Sequence, residues 1–341
     1  MNRFLELSDE DRLSAFMEVN RSMGLDAFSV EKDFWVCWTL CKLFTLPGIG
    51  EHLTFKGGTS LSKAWKLIHR FSEDIDLIVD KDVLGFGGDA APDKASSNKQ
   101  RKVRLEALME SCRRWVQDTL RPELTVRIAE TLGSDGWHLE IDPNMPDGQC
   151  LLFHYPSVFP PNANGYVVQQ VKIELGARSD DWPNSECPIQ PYLAERFPQF
   201  MPEGPFPVRV LAAERTFWEK ACLLHEETFR PHDKPRKHRM ARHYYDLWCL
   251  LRAGVGERAL ANTALFQRVA EHREIFFRYP WVDYSTHKPG TFRLTPPTDH
   301  LANWRSDYQA MLGPMFFGEV PDFDEIMEAV SEFEKTFNAS A

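Results

Sequence analysis

The sequence predicts an α/β protein whose N-terminal half forms a mixed sheet with helices and whose C-terminal half is mainly helical. Short runs of alternating apolar residues occur before about residue 180, and apolar residues at helical spacing dominate after about residue 210. Seven prolines lie between these two patterns. Because proline fixes φ and removes a backbone donor, residues 181–207 are predicted to be a Pro-rich connector.

Length and composition limit the class of protein. The chain has 341 residues, enough for about two domains, and its 43% hydrophobic content can form buried cores, which excludes wholesale disorder. Its 50 acidic residues outnumber 40 basic residues and give a formal net charge of −10. Because coating of nucleic acid requires clustered positive charge, any contact with nucleic acid is expected to be local.

The sequence predicts neither export nor membrane insertion. The first residues lack the apolar core and cleavage site of a secretory signal, and no run of about 18 apolar residues occurs. The seven scattered cysteines include no C-x-x-C pair, which indicates a reducing compartment. We therefore expect a cytoplasmic protein that does not associate with membranes.

The individual elements follow from local periodicity and turn signals. Helices 8–22 and 30–46 form a helical lead-in over residues 1–48 that is expected to pack on the core. An α/β domain, 49–180, precedes the connector, and a helical domain, 208–341, follows it. The predicted strands are 52–56, 74–79, 123–130, 136–142, 149–155 and 167–175, and the further predicted helices are 59–70, 100–119, 212–227 and 239–252.

The segment with the clearest chemical meaning is the turn Lys56-Gly57-Gly58-Thr59-Ser60, followed one helix later by Asp74-Ile75-Asp76. Two glycines let the backbone approach a phosphate, and the hydroxyls and the helix N-terminus offer donors. Asp74 and Asp76 are two residues apart on a strand, so both carboxylates project from one face and can share divalent cations. The alternative is a tight turn beside two solvated aspartates, which would repel each other unless a cation neutralised them.

With these residues the sequence resembles the nucleotidyltransferase superfamily, whose hallmark is a Gly-Gly or Gly-Ser turn, a helix and then Asp-x-Asp. More narrowly, the strings FKGGTSLSKAW and RFSEDIDL are similar to the AbiEii/AbiGii group of toxins, relatives of the mycobacterial MenT toxins. The similarity extends to the helical segment VEKDFWV, to the strand around Glu174 and to the helices around Lys220 and Asp246. The resemblance implies a nucleotidyltransferase fold, NTP as substrate, a two-ion Mg²⁺ site and a co-encoded AbiEi-like antitoxin.

Three carboxylates are assigned to the catalytic centre. Asp74 and Asp76 are the expected Mg²⁺ ligands of a two-metal phosphoryl transfer. Strand alternation places Glu174 on one face with Lys172, and we interpret Glu174 as the third carboxylate, which polarises the acceptor hydroxyl. The alternative for Glu174 is an exposed strand residue that pairs with Lys172.

Two further candidates lie in the helical half. The resemblance implies that Lys220 contacts nucleotide phosphates, for which a compact ammonium is suited; the alternative is a solvated helix lysine. Asp246 lies within an apolar helix, so we expect it to pair with Arg242 or Lys220, in a role that can be structural and catalytic together. Lys56, beside the turn, is a candidate phosphate ligand, although a lysine at a strand end is more often solvated.

Positive charge is concentrated between Lys220 and Asp246. We interpret this run as a contact for an RNA backbone or, with equal weight, as a solvated face. Its basic residues are Arg230, Lys234, Arg236, Lys237, Arg239 and Arg242. The remaining aromatic and histidine residues, such as Trp281, Trp304 and His138, are expected to serve packing.

The sequence therefore predicts a Mg²⁺-dependent nucleotidyltransferase that moves a nucleoside monophosphate from an NTP to an RNA 3′ end, with the tRNA acceptor end as the expected target. The resemblance implies a toxin that blocks translation, in a toxin–antitoxin system linked to phage defence. Two alternatives stay open: an enzyme that modifies a protein or a small molecule, and a non-catalytic RNA- or nucleotide-binding module. A non-catalytic module would be expected to lack a carboxylate, and none is missing.

Overall fold

The chain folds into two compact units. The computed structural model describes residues 1–160, 168–312, 316 and 320–340. Unit 1 comprises Met1–Ala64 with Phe71–Val210, and unit 2 comprises Trp65–Arg70 with Leu211–Ala341. The segment Trp65–Arg70 therefore belongs to unit 2, although it lies in the sequence between the Gly-Gly turn and the Asp-x-Asp strand.

Unit 1 contains a mixed sheet with the strand order β3-β4-β5-β2-β1-β7-β6, as the predicted fold class requires. β2 is antiparallel to β1 and parallel to β5, whereas β4 is antiparallel to both of its neighbours, β3 and β5. The strands are β1 Leu53–Lys56, β2 Asp74–Val79, β3 His138–Ile141, β4 Cys150–His154, β5 Val171–Gly176, β6 Asn184–Ile189 and β7 Phe206–Leu211.

Helix α3 covers the apolar face of this sheet. Its side chains are buried on nearly every side, and the rings of Trp35 and Trp38 lie 6.0 and 5.8 Å from that of Phe153 on β4. Since side chains alternate along a strand, burial of Ile75 and Ile173 on one face directs their polar neighbours to the other. The helices of unit 1 are α1 Asn2–Leu5, α2 Asp9–Met23, α3 Ala27–Phe44, α4 Gly57–Lys63, α5 Asn98–Trp115, α6 Arg121–Leu132 and α7 Leu193–Arg196.

The described part of unit 2 is mainly helical, as predicted for the C-terminal half. An aromatic cluster forms its core, in which the Trp218 ring lies 4.7 Å from Phe266 and 5.2 Å from Phe337. The helices are α8 Ala213–Glu227, α9 Arg242–Arg252, α10 Val255–Leu260, α11 Thr263–Phe276, α12 Thr298–Gln309 and α13 Phe323–Asn338. Across the described parts of both units, no helix combines the length and the apolar character needed to span a membrane.

The predicted strand 123–130 is wrong, because this interval forms part of α6. Leu124 and Ile128, four residues apart, are fully buried, whereas Val126 is 58% exposed. This spacing is that of a helix with one buried face. The β-branched residues of the interval suggest a strand locally, and tertiary packing overrides that preference.

Two other boundaries also differ from prediction. The helix predicted over 59–70 ends at Lys63, and Lys66 has a positive φ of 54° that a helix does not allow. The predicted connector 181–207 contains β6 and the start of β7, both strands of the sheet. Pro188 lies within β6, an edge strand of the sheet, and edge strands are where proline is tolerated. The predicted strand 167–175 is observed as β5; its first residue, 167, lies outside the described residues.

Candidate active site

The predicted site residues are distributed over both units. Unit 1 holds the turn Lys56–Ser60 and the three carboxylates, and unit 2 holds Lys220, Asp246 and the basic run. The two groups are therefore described separately, each within its own unit.

The parallel pairing of β2 with β5 places the three predicted carboxylates side by side. Asp76 lies directly opposite Glu174, and Asp74 lies opposite Lys172. Directly paired residues, and residues two apart on one strand, share a face of the sheet. Asp74, Asp76 and Glu174 thus form one group, named here the carboxylate face. The Lys172 ammonium lies 2.6 Å from Glu174 Oε1, so the alternative pairing for Glu174 is present as well.

The charge state of Asp74 reflects this crowding. Burial, together with the negative charges of Glu73, Asp76 and Glu174, raises the pKa of Asp74 to about 6, and Lys32 opposes this rise. A carboxylate whose pKa is raised in this way is stabilised in its ionised form when a cation binds. Both predicted ligands, Asp74 and Asp76, offer carboxylate oxygens, the donors that Mg²⁺ and Ca²⁺ prefer. The residues present therefore fit a hard divalent cation.

The Gly-Gly turn lies against the carboxylate face. Gly57 begins α4 with a φ of +81°, and a Cβ atom at this position would lie 2.0 Å from Asp76 Oδ2. Both the conformation and the contact require glycine. The turn thus fixes the backbone immediately beside the Asp76 carboxylate.

The hydroxyls of the turn serve the fold, which the sequence did not predict. Thr59 Oγ1 donates to the Asp74 carbonyl at 2.6 Å and lies 2.8 Å from Ser72 Oγ. Ser60 Oγ donates to the Gly57 carbonyl at 2.9 Å, and both hydroxyl-bearing residues are buried. Lys56 Nζ donates to Ser179 Oγ at 2.8 Å. Thr59 therefore ties α4 to β2 and so positions Asp74, while the backbone amides of Gly57 and Gly58 stay candidates for phosphate contact.

Three consecutive buried charges on α3 are functional neighbours that sequence reasoning missed. Glu31, Lys32 and Asp33 are 1, 3 and 5% exposed. Lys32 Nζ forms an ion pair with Glu73 and donates to the Val168 carbonyl at 3.0 Å, and it is the cation that opposes the raised pKa of Asp74. The signal was available: charges inside an otherwise apolar helix are retained only when they are paired.

Asp33 anchors the end of α4 from the same helix. Its Oδ1 lies 2.6 Å from Lys63 Nζ, and its Oδ2 accepts a hydrogen bond from the Tyr192 amide at 2.7 Å. The Lys63 ammonium also lies 3.6 Å from the centre of the Tyr192 ring. Lys63 therefore forms its contacts inside unit 1 and stabilises the end of α4, the helix that follows the Gly-Gly turn.

In unit 2, one buried carboxylate holds two cations. Asp246 Oδ2 lies 2.7 Å from Lys220 Nζ, and Arg70 donates to Asp246 Oδ1 and Oδ2 at 2.6 and 2.8 Å. Arg70 and Lys220 hold the pKa of Asp246 well below its usual range. Burial, assisted by Arg70, lowers the pKa of Lys220 against the opposing effect of Asp246. The partners of Asp246 thus include Lys220, one of the two predicted alternatives, and Arg70, which was not predicted.

Lys220 has a second neighbour in unit 2. Its Nζ lies 3.4 Å from His243 Nδ1, and burial together with the Lys220 charge lowers the pKa of His243 well below the usual value. A neutral His243 can accept a hydrogen bond from the ammonium. Asp246, Arg70 and Lys220 together carry one excess positive charge, which suits the binding of an anion.

The basic run has two structural members and several exposed ones. Arg230 and Arg236 both contact Glu227, with Arg230 at 2.6 Å through two nitrogens and Arg236 at 3.3 Å. The Arg236 guanidinium also lies 3.7 Å from the ring of Trp304, a buried packing residue as expected. Lys234, Lys237 and Arg239 are exposed, and Arg242 is half-buried. An RNA contact therefore stays a prediction that rests on the exposed members.

A mixed sheet that aligns three carboxylates beside a glycine turn is the arrangement of a metal-dependent phosphoryl-transfer enzyme. The family profile described as "Nucleotidyl transferase AbiEii toxin, Type IV TA system" matches residues 38–329. The chain therefore belongs to this family and is a nucleotidyltransferase toxin of a toxin–antitoxin system, which implies a nucleotide substrate and an antitoxin partner.

Two solved structures are similar to this chain. JHP933 from Helicobacter pylori is 14% identical, with 93% of this chain and 96% of that chain covered and a TM-score of 0.43. MenT4, a nucleotidyltransferase toxin from Mycobacterium tuberculosis H37Rv, is 17% identical, with 95% and 98% covered and a TM-score of 0.44. No curated protein sequence matches the chain.

Proposed function

We propose that this toxin transfers a nucleoside monophosphate from an NTP to the 3′ hydroxyl of an RNA, with the tRNA acceptor end as target, and thereby blocks translation. The observation that carries the proposal is the register of β2 with β5, which aligns Asp76 with Glu174 and puts Asp74 on the same face. The raised pKa of Asp74 supports a cation at this place. We propose that the cation is Mg²⁺ and that Asp74 and Asp76 would hold two such ions.

In the proposed reaction the acceptor oxygen forms a bond to the α-phosphorus of the NTP. The bond between that phosphorus and the oxygen bridging to the β-phosphorus breaks, and pyrophosphate leaves with the electron pair. When bound, Mg²⁺ would neutralise developing negative charge and polarise the α-phosphoryl oxygen. We assign acceptance of the hydroxyl proton to Glu174 Oε2, because Lys172 contacts the other oxygen of this carboxylate.

The remaining residues bind and orient in this proposal. Lys220 would contact the triphosphate, since the cluster that it forms with Arg70 and Asp246 carries excess positive charge. The backbone amides of Gly57 and Gly58 would face phosphate oxygens, and Lys56 is a second candidate cation. Lys234, Lys237 and Arg239 are the basic residues with the exposure that an RNA backbone contact requires.

The acceptor is identified by supplying each NTP with a labelled α-phosphate, Mg²⁺ and three acceptor pools: tRNA, RNA depleted of tRNA, and total protein. The proposal expects label in tRNA, and none after periodate has oxidised the terminal ribose. Label in the protein pool would support modification of a protein instead. A purified chain that labels no pool with any NTP contradicts the proposal, and Asp74→Asn is the matched inactive control.

A further inference from the structure

Three side chains on the outer hairpin of unit 1 form a group that the proposed function does not use. His138 and Glu140 lie two residues apart on β3, and His154 on β4 lies directly opposite His138. We name these three residues the edge cluster, because β3 is the edge strand of the sheet. His138, which was expected to serve packing, stacks on His154 but is 59% exposed and lies outside the core.

The nitrogen atoms of the edge cluster converge on one carboxylate oxygen. His154 Nε2 lies 3.0 Å from Glu140 Oε1, and His138 Nε2 lies 3.8 Å from the same atom. One donor atom from each residue can be chosen so that all three lie within 4.8 Å of one another. Zn²⁺ binds imidazole and carboxylate at about 2.0–2.2 Å, so tetrahedral ligands lie about 3.4 Å apart. The distance of 3.0 Å from His154 Nε2 to Glu140 Oε1 is shorter than this value, and that of 3.8 Å from His138 Nε2 is longer.

The strand register makes this convergence a property of the backbone. The two imidazole rings are stacked with centres 3.9 Å apart and an angle of 9° between their planes. Both rings therefore project from the same side of paired residues, and rotation about side-chain bonds directs their nitrogens at a shared ion without movement of the strands. A β-ladder that supplies two ligands from one strand and one from its neighbour is a rigid support for a metal.

A second cluster, His232, Asp299 and His300 in unit 2, also has one donor atom per residue within 4.8 Å of the others, but its closest contacts do not share a single atom. There, His232 Nε2 lies 3.4 Å from Asp299 Oδ2, while His232 Nδ1 lies 3.3 Å from His300 Nε2. The two contacts use opposite sides of the His232 ring, so the three residues form a chain of neighbours. A metal ion can take only one nitrogen from that ring, and this cluster serves here as a control.

The edge cluster is separate from the carboxylate face, although both lie on the same face of the sheet. On β4, His154 lies two residues from Leu152. Leu152 pairs with Lys172 on β5, and Lys172 pairs with Asp74 on β2. Two strand spacings and two residues along the strand amount to about 12 Å between the backbone positions of His154 and Asp74. Paired catalytic metals lie about 4 Å apart, so an ion at the edge cluster cannot be one of that pair.

The geometry points to a transition-metal site at the edge cluster, formed by His138, Glu140 and His154 and selective for Zn²⁺-like ions over Mg²⁺. Two imidazoles favour a borderline ion such as Zn²⁺ or Co²⁺, whereas Mg²⁺ favours oxygen ligands. Three protein ligands leave a fourth position for water or an anionic oxygen. This site does not depend on the proposed function, since metal binding is measured without any nucleotide.

The test is titration of the untagged full chain with Co²⁺, followed by visible absorption and then by displacement with Zn²⁺. Saturating Mg²⁺ occupies oxygen-only sites, and a Cys41→Ser background removes the one cysteine that is not buried. We expect one Co²⁺ to bind, with affinity at least about tenfold weaker in His154→Gln and His138→Gln. His300→Gln and Asp74→Asn should bind Co²⁺ as the parent chain does.

Three outcomes would overturn the inference: no Co²⁺ absorption in the parent chain, unchanged affinity in both edge-cluster variants, or loss of binding in His300→Gln alone. The edge-cluster side chains are 30–59% exposed, so their replacement is not expected to unfold the chain. Circular dichroism of each variant checks this point. Because Asp74→Asn removes transfer without touching the edge cluster, failure of the metal site and failure of the proposed function are distinguishable.

Discussion

Two ionic clusters of this protein have opposite effects on the pKa of a carboxylate. On the carboxylate face of unit 1, burial and like charges raise the pKa of Asp74 to about 6. In unit 2, Arg70 and Lys220 hold the pKa of Asp246 far below its usual range. Asp246 has its counter-charges built into the fold, whereas the environment of Asp74 favours a cation from solution. The difference separates a carboxylate whose charge is neutralised within the fold from one whose charge a bound cation would stabilise.

The largest expected effect on stability comes from Asp246→Asn. This change leaves Arg70 and Lys220 buried without their counter-ion, and loss of one partner of a buried pair costs about 3–5 kcal/mol. Because the folded-state pKa lies below the ordinary value of 3.8, the contribution of Asp246 is fully present above about pH 4 and is lost as pH falls through the folded pKa. Urea unfolding at pH 7 measures the change.

An exposed ion pair is the control for this prediction. Asp324 is 75% exposed and pairs with Arg305. Asp324→Asn is expected to cost far less stability than Asp246→Asn, since surface pairs contribute little. Equal costs for the two variants would mean that the Asp246 cluster is not the buried, paired unit described above.

Asp74→Asn is expected to increase the stability of the chain in the absence of divalent cations, whereas Asp246→Asn decreases it. The folded-state pKa of Asp74 is raised above 3.8, so its ionised form costs stability at high pH. The variant should be more stable than the parent by about 1–3 kcal/mol at pH 8 in EDTA, and equal to it below about pH 4. Added Mg²⁺ should stabilise the parent and not the variant. If Asp74→Asn were less stable than the parent at pH 8, this would contradict the conclusion that ionised Asp74 costs stability.

Gly57→Ala tests whether the turn positions the carboxylate face. The added Cβ meets both an unfavourable φ and the Asp76 carboxylate, so we expect a loss of about 1–3 kcal/mol and at least about tenfold weaker transfer. Gly85 has the same φ of +81° with nothing within 4 Å of an added Cβ. Gly85→Ala should therefore show the backbone cost of about 1 kcal/mol and normal transfer. Equal transfer activity in Gly57→Ala and Gly85→Ala would contradict the prediction that the turn positions the carboxylate face.

The smallest expected effect is the pH dependence of cation affinity. Protons and Mg²⁺ compete for Asp74, whose pKa is about 6. The dissociation constant for Mg²⁺, measured by calorimetry, should rise about tenfold per pH unit below 6 and stay level above it. In Asp74→Asn this dependence should disappear. A parent chain whose affinity is constant from pH 5 to pH 8 would contradict the raised pKa.

The chemistry of the carboxylate face could be predicted because it rests on local periodicity. Asp74 and Asp76 are two apart on a strand, and Glu174 follows the same alternation on its own strand. Their alignment could not be predicted, because β2 and β5 are distant in sequence and their parallel register is set by tertiary packing. Local alternation likewise predicts strands in the N-terminal half but not the strands inside the Pro-rich interval, since prolines are tolerated at a sheet edge.

The roles of paired side chains were the least predictable from sequence. Arg70 was assigned to a helix and proved to be a partner of Asp246, and Thr59 was assigned to phosphate and donates to a backbone carbonyl. Both contacts depend on the turn of the chain after Lys63, where Lys66 has a positive φ that no sequence motif predicts. The pairing of Lys32 could be predicted, because Glu31, Lys32 and Asp33 are consecutive charges in an otherwise apolar helix, and buried charges need partners.

The most direct test of the account compares two labels in one reaction. The purified chain is given NTP labelled at the α-phosphate or at the γ-phosphate, with Mg²⁺ and tRNA, and Asp74→Asn is run beside it. We expect that α-label enters the RNA, that γ-label does not, and that the variant transfers at least about a thousandfold more slowly, as loss of several kcal/mol of metal stabilisation requires. Entry of γ-label into RNA, or full activity in the variant, would contradict nucleotidyl transfer at the carboxylate face.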